Sequence, residues 1–292
     1  MSNFAFIERT DRVNWSTLKA IQTSPRHYRH LLANPRADTD ALKLGRAVHC
    51  AVYEPQHFHA RYVVEPRFNR AMNDDTAIAK GYEGGKQAAA LWVADVAARA
   101  VGNPHPPEII PAEFRDRALA MRDSLMADPV SAPLIIGGRA ELPIEWTDAR
   151  TGIECRGRID HINGRVSDLK SAADIAGCER AAARYLYHAQ LAWYVDGARA
   201  AGLDTSEAPC LIFVESVAPF DVIVLTFDED DLAAGRAVYR SALDRLAECR
   251  ATNRWPGVGG GVARRIQIPA WAMQPEHEAG PVEVLDGADF NV

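Results

Sequence analysis

Two aspartates and a lysine stand in the stretch "CRGRIDHINGRVSDLKSA", Cys155 to Ala172, with the spacing D-x7-D-x-K formed by Asp160, Asp168 and Lys170. Carboxylate oxygens gathered in one place suit a hard divalent cation such as Mg²⁺, and a lysine beside them can position or deprotonate a water. The same three residues also suit a surface ion-pair ladder, and spacing alone does not decide between the two.

The segments on either side of Asn163-Gly164 have strand length and β-branched content, so two strands joined by a turn are expected here. Alternate residues of a strand share a face, which puts Asp168 and Lys170 together and places Asp160 on the polar face of its own strand with Glu154, Arg156 and Arg158. A two-residue type I′ hairpin at Asn163-Gly164 would pair Asp160 with Ser167 and separate the two aspartates. A three-residue loop or a bulge at Asn163-Gly164-Arg165 brings them to one face. The metal reading therefore predicts that irregularity.

The elements around this stretch are mostly helical before it and mixed after it. Ser24-Pro25 reads as an N-cap with proline at the first helical position, which predicts helices over Asn14–Thr23 and Pro25–Ala33. "DALKLGRAVHCAVY" predicts a helix from Asp40 to Tyr53, closed by Pro55, with Leu42, Gly45, His49 and Val52 on one face. Further helices are expected over Thr76–Val101, broken in its first half by "GYEGG", and over Ala112–Ala127. Strands follow at Glu141–Trp146, Gly152–Ile162 and Arg165–Lys170, with Pro143 marking the first as an edge or a bulge. Then come a helix over Glu179–Ala200, strands at Cys210–Ser216 and Asp221–Phe227, and a helix over Glu229–Cys249. This order predicts an α/β fold, a mixed core behind a helical N-terminal region. Taken alone, His49 on an apolar helix face is a core histidine held by a hydrogen bond. Gln190 and Tyr194, four residues apart, share a helix face with Tyr187 just behind.

Set in order, these segments resemble a known family. "GRID…SDLKSA" resembles the PD-(D/E)xK nuclease motif with Ile159 in place of the proline. "ALKLGRAVHCAVYEPQHF", "YHAQLAWYVDG" and "WPGVGGGVARRIQIPAWA" are similar to the histidine, glutamine-tyrosine and C-terminal tryptophan segments of the RecE-type exonucleases, the nuclease domain of exodeoxyribonuclease VIII. The likeness is collinear from about Asn14 to Ala272. It implies a restriction-endonuclease-like core with a central mixed β-sheet flanked by helices, in a domain over 1–272 with a helical part about 14–128 and a catalytic core about 139–250. It implies that His49, Asp160 and Asp168 ligate metal, that the Leu169 carbonyl adds a ligand, that Lys170 is the catalytic lysine and that Gln190 borders the site. Glu141 is a candidate for a further acidic group, and Tyr194 accompanies Gln190. The implied activity is Mg²⁺-dependent degradation of linear duplex DNA from its ends, 5′ to 3′, with Mn²⁺ able to substitute. The product would serve a single-strand annealing partner in phage-type recombination, and the enzyme would work as a ring-shaped homo-oligomer. Ile159 replaces a residue that supplies no ligand, and Ser171 stands where threonine is common. A non-catalytic DNA-end or protein-binding module with the same fold, and an endonuclease of the same superfamily, are the competing readings.

Composition narrows the rest. A formal charge of −6 over 292 residues argues against non-specific coating of nucleic acid, so any DNA contact must be local. Arg26 and Arg29 in "SPRHYRHLLANPR", and Arg264 and Arg265 in "ARRIQ", are the candidates. The five cysteines, Cys50, Cys155, Cys178, Cys210 and Cys249, form no CxxC pair, which argues against an iron-sulfur cluster, zinc or a disulfide framework. No secretory leader and no membrane-spanning apolar run is read in the sequence, and a cytoplasmic location is expected. The acidic stretch 273–292 is expected to be a flexible tail.

Overall fold

The Asp-Asp-Lys stretch lies in a five-stranded sheet whose strands run in spatial order as they do in sequence. They are β1 (Arg139–Thr147), β2 (Glu154–Ile162), β3 (Val166–Ala172), β4 (Cys210–Glu215) and β5 (Val222–Thr226). Neighbours are antiparallel except β3 and β4, which run parallel. A parallel pair needs a long crossover, and helical chain between Cys178 and Ala200 supplies it. The computed structural model describes residues 12–35, 37–263 and 265–273.

Helices of nine residues or more are α1 (Pro25–Ala33), α2 (Asp40–Tyr53), α3 (Lys86–Ala100), α4 (Ala112–Ala127), α5 (Tyr187–Ala200) and α6 (Glu229–Thr252). Their starts follow from side chains that satisfy the free first-turn amides. Ser24 accepts from His27 N–H ahead of α1, and Thr39 accepts from Leu42 N–H ahead of α2. Asp228 and Asp231 cap α6 reciprocally. The glycines of "GYEGG" separate the short helix Asp74–Ala79 from α3.

The sheet carries helices on both faces. Leu44, Val48 and Ala51 of α2 and Met121 and Leu125 of α4 pack with Leu169, Ile212 and Val214 on one side. On the other, Leu191 and Trp193 of α5 and Leu243 and Leu246 of α6 pack with Leu211 and Phe213, together with Leu18 and Ile21 from the N-terminal segment. The alternation along β4 is the period-two rule for a central strand. All five cysteines are buried in this interior as small apolar side chains. Among the described residues, no helix is long and apolar enough to cross a membrane.

Helices α5 and α6 approach closely at Gly235, where an added Cβ would lie 2.3 Å from the His188 carbonyl oxygen. Backbone cannot step aside as a flexible side chain can. Gly235→Ala is expected to destabilise the protein by about 1–3 kcal/mol in a denaturant titration. An unchanged midpoint would mean that the two helices separate without cost.

Some elements differ from the sequence expectation. Pro55 begins a further helix, Pro55–Arg61, after α2 ends at Tyr53. A two-residue parallel pair, Tyr62–Val63 with Glu108–Ile109, lies in the otherwise helical first part. The helix expected over Glu179–Ala200 is two helices, Cys178–Arg184 and α5, because Leu186 takes a left-handed conformation at φ 58°. Neither glycine nor proline marks that corner, so no local signal announces it.

Candidate active site

The connection between β2 and β3 is the three-residue loop Asn163–Arg165, because Ile162 pairs with Val166 and His161 with Ser167. Gly164 supplies its left-handed position at φ 67°. This register sets Asp160 opposite Asp168, as the metal reading requires. After those two pairs the strands part. The Leu169 N–H donates to Asp160 Oδ2 at 2.9 Å, and further along β2 the backbone of Glu154 and Arg156 bonds to Val13 instead of to β3. Asp160 thus sits in a fork of the sheet and satisfies an amide that the missing ladder leaves free.

Across β2 lies a second irregularity. The β1–β2 pairs run through Ala140 with His161 and resume at Leu142 with Ile159, while Glu141 between them has φ 49°. Pro143 is two residues away on β1, which is an edge strand. The left-handed backbone costs a non-glycine residue about 1–2 kcal/mol. It accompanies a carboxylate that meets Asp160 at His49.

His49 comes from α2. Its Nε2 is 3.1 Å from the Leu169 carbonyl, and its Nδ1 is 3.5 Å from Glu141 Oε1 and 3.7 Å from Asp160 Oδ2. His49, Glu141 and Asp160 each offer a ligand atom within 4.8 Å of the others. Burial by itself would depress the imidazole pKa, but Asp160 and Glu141 outweigh it and raise the value to about 9. The two carboxylates thus call for positive charge beside the imidazole. Two carboxylates and an imidazole are a donor set that fits a divalent cation, and the Leu169 carbonyl meets the imidazole at its other nitrogen.

The other half of the site is an ion pair. Lys170 Nζ contacts Asp168 Oδ2, and Asp168 is only 1 % exposed. Gln190 Nε2 donates to Asp168 Oδ1 at 3.3 Å and lies 3.2 Å from the Tyr194 hydroxyl. Burial raises the Asp168 pKa to about 6 against the opposing pull of Lys170. Burial would lower that of Lys170, but Asp168, Asp160 and Tyr187 together hold it above its ordinary value. The Lys170 ammonium also stands 4.9 Å over the Tyr187 ring. Lys170 is a fixed cation, suited to hold an anion or a water rather than to take a proton. Gly157 on β2 lets the Tyr194 ring lie close, since a Cβ there would come within 3.0 Å of it.

His49, Glu141, Asp160 and the Leu169 carbonyl are thus gathered on one side, and Asp168, Lys170, Gln190 and Tyr194 on the other. Asp168 faces Lys170 and Gln190 and is not one of the three donors grouped at His49. The Arg26 N–H donates to Pro256 O at 3.2 Å, and the Arg29 guanidinium is 5.3 Å over Trp255, so both pack on the C-terminal segment. Arg265 is exposed. Arg264 and the tail 274–292 lie outside the described residues.

Two residues near the site escaped the sequence reading. Arg158 Nη1 is 3.5 Å from Glu141 Oε2, and its place on the Asp160 face of β2 was the available signal. Tyr53, one turn after His49, sets its ring 6.0 Å from the imidazole and has a buried hydroxyl without a hydrogen-bond partner. The step of four along α2 could have found it.

Glu141 permits a test that separates backbone from ligand. Both Glu141→Ala and Glu141→Gly remove the carboxylate and should weaken Mn²⁺ binding in a calorimetric titration. The glycine variant should be the more stable of the two by about 1 kcal/mol, because it relieves the left-handed strain. Equal stabilities would mean that the strain is relaxed in both variants.

An α/β sheet with acidic groups at a forked hairpin and a lysine two residues after the second aspartate defines a PD-(D/E)xK-like domain. Residues 14–265 match the family described as a PDDEXK-like domain of unknown function (DUF3799), and the chain belongs to that family. A crystal structure described as a "Putative exonuclease" from Eubacterium rectale shares the fold, with a TM-score of 0.55 at 11% identity, covering 94% of this chain and 98% of that one. No curated protein matches the chain.

Proposed function

We propose that this protein is a Mg²⁺-dependent DNA exonuclease, active also with Mn²⁺, that hydrolyses linear duplex DNA from its ends in the 5′ to 3′ direction. The observation that carries the proposal is the His49–Glu141–Asp160 cluster set beside the buried Asp168–Lys170 pair in a PDDEXK-like fold. The RecE-type motifs and the description of the structural neighbour support the exonuclease reading over an endonuclease. In this reading the enzyme is cytoplasmic, acts as a homo-oligomeric ring and hands a 3′ strand to an annealing protein in phage-type recombination.

His49, Glu141, Asp160 and the Leu169 carbonyl would hold the cation, with Asp168 completing the set on the far side of the fork. A bound divalent cation supplies acidity to water and positive charge to a phosphate under attack. The chain's own residues do the rest. Asp160 accepts from the Leu169 N–H, and His49 Nε2 lies against the Leu169 carbonyl, so both polar groups of that residue are held. Asp168 and the Tyr187 ring hold the Lys170 ammonium in one place. From there the ammonium can donate to a nonbridging phosphate oxygen or to the attacking water. Gln190 steadies Asp168 from α5.

Linear, nicked and closed-circular duplex DNA, each incubated with Mg²⁺ or with EDTA, test the proposal. Loss of the linear form alone, dependent on Mg²⁺, is expected. Cleavage of closed circles would make the protein an endonuclease. DNA binding without cleavage of any form would make it a binding module.

A further inference from the structure

The corner between helix Cys178–Arg184 and α5 carries a row of aromatic and cationic side chains that the chemistry above leaves unused beyond its first two members. It begins at Lys170, whose Nζ is 4.9 Å over Tyr187. The Tyr187 and Tyr185 rings follow at 5.8 Å, tilted by 43°. The Arg184 guanidinium ends the row 5.8 Å over Tyr185. Both tyrosines are partly exposed and Arg184 is exposed. We propose that this corner is a stacking platform for unpaired terminal bases of a DNA strand whose phosphate reaches Lys170. The proposal rests on the nuclease reading for the position of that phosphate and names the form of substrate the site takes.

Three observations converge on it. First, residues two apart on a continuous helix point away from each other. Leu186 at φ 58° breaks the helix and brings the two rings into contact. A left-handed leucine is costly, and strain of this kind is kept where the surroundings enforce it. Second, the residues divide their tasks. Leu186 and Tyr187 pack on the core and anchor the corner, whereas Tyr185 belongs to neither apolar cluster. An aromatic ring held at a corner without a core to fill is free to receive another ring. Third, aromatic faces interleaved with cations are the chemistry that binds single-stranded nucleic acid, since unpaired bases offer a π-face and the backbone offers charge. Bases inside a duplex have their faces covered by their neighbours, so this platform selects a frayed or overhanging end.

The test uses the full chain in EDTA, where turnover is blocked, with a short single-stranded oligonucleotide carrying 2-aminopurine at its end. Wild-type protein should quench the fluorescence through stacking. Tyr185→Leu should bind about tenfold more weakly and lose the quenching, while Tyr185→Phe, which keeps the ring, should match wild type. Unaltered Mn²⁺ binding and thermal midpoint in Tyr185→Leu would show that the fold and the metal cluster are intact. Wild-type affinity and quenching in Tyr185→Leu would overturn the platform, as would an equal loss in Tyr185→Phe. Because no cleavage is measured, a wild-type protein that binds in this way but never digests DNA would sink the nuclease reading alone. A protein that digests DNA while Tyr185→Leu binds normally would sink the platform alone.

Discussion

Asp160→Asn is expected to lower divalent-cation affinity by at least about a hundredfold and to abolish measurable nucleolysis, with little change in thermal midpoint. Even residues that only support a metal ligand cost about ten- to a hundredfold when lost, and here a ligand charge itself is removed. The fold should survive because the asparagine side-chain oxygen can still accept from the Leu169 N–H, the bond that closes the fork. Asp160→Ala differs on this point. It leaves that amide without its partner beneath the sheet and should add about 1–3 kcal/mol of destabilisation. Mn²⁺ titration and digestion of linear DNA, run on both variants, separate the two effects. Undiminished Mn²⁺ affinity in Asp160→Asn would show that the cation is not held by His49, Glu141 and Asp160.

The parts of this site that local chemistry controls were legible in the sequence. The helix read over Asp40–Tyr53 from steps of three and four, and the one read over Ala112–Ala127, are found with those bounds. The metal reading required, by parity, a three-residue loop or a bulge after Ile162, since a two-residue connection would have separated the aspartates, and the loop is there. What depended on chain segments far apart was not legible. His49 is brought to Leu169 across 120 positions, and Gln190 to Asp168 across 22. Spacing could therefore nominate the residues and set Asp168 beside Lys170, without bringing His49 or Gln190 to them. The left-handed Glu141 and Leu186 carry no glycine signal, because tertiary packing rather than local preference holds them there. Arg158 shares a polar strand face with Asp160, yet its pairing with Glu141 depends on the register of β1 against β2.

The Asp168–Lys170 pair makes the second large prediction, in which stability and activity part company. Lys170→Ala removes the cation beside a carboxylate that is 1 % exposed, and breaking a buried pair in this way costs about 3–5 kcal/mol. Loss of activity in that variant would be ambiguous on its own. The double variant Asp168→Asn, Lys170→Met resolves it, because a neutral amide can still accept from Gln190 and no charge is left unpaired. It should recover most of the lost stability while remaining inactive. The single variant also has a pH signature in EDTA. Burial already raises the Asp168 pKa above the ordinary carboxylate value, and losing Lys170 removes the group that opposes this. The folded state then binds a proton that the unfolded chain has released, so stability falls as pH rises above the ordinary carboxylate pKa of about 4. The deficit of Lys170→Ala should accordingly be smaller at low pH and grow toward neutrality, whereas the double variant should show no such slope. A deficit independent of pH, or a double variant as unstable as the single one, would mean that Lys170 supports the fold through packing on Tyr187 rather than through its charge.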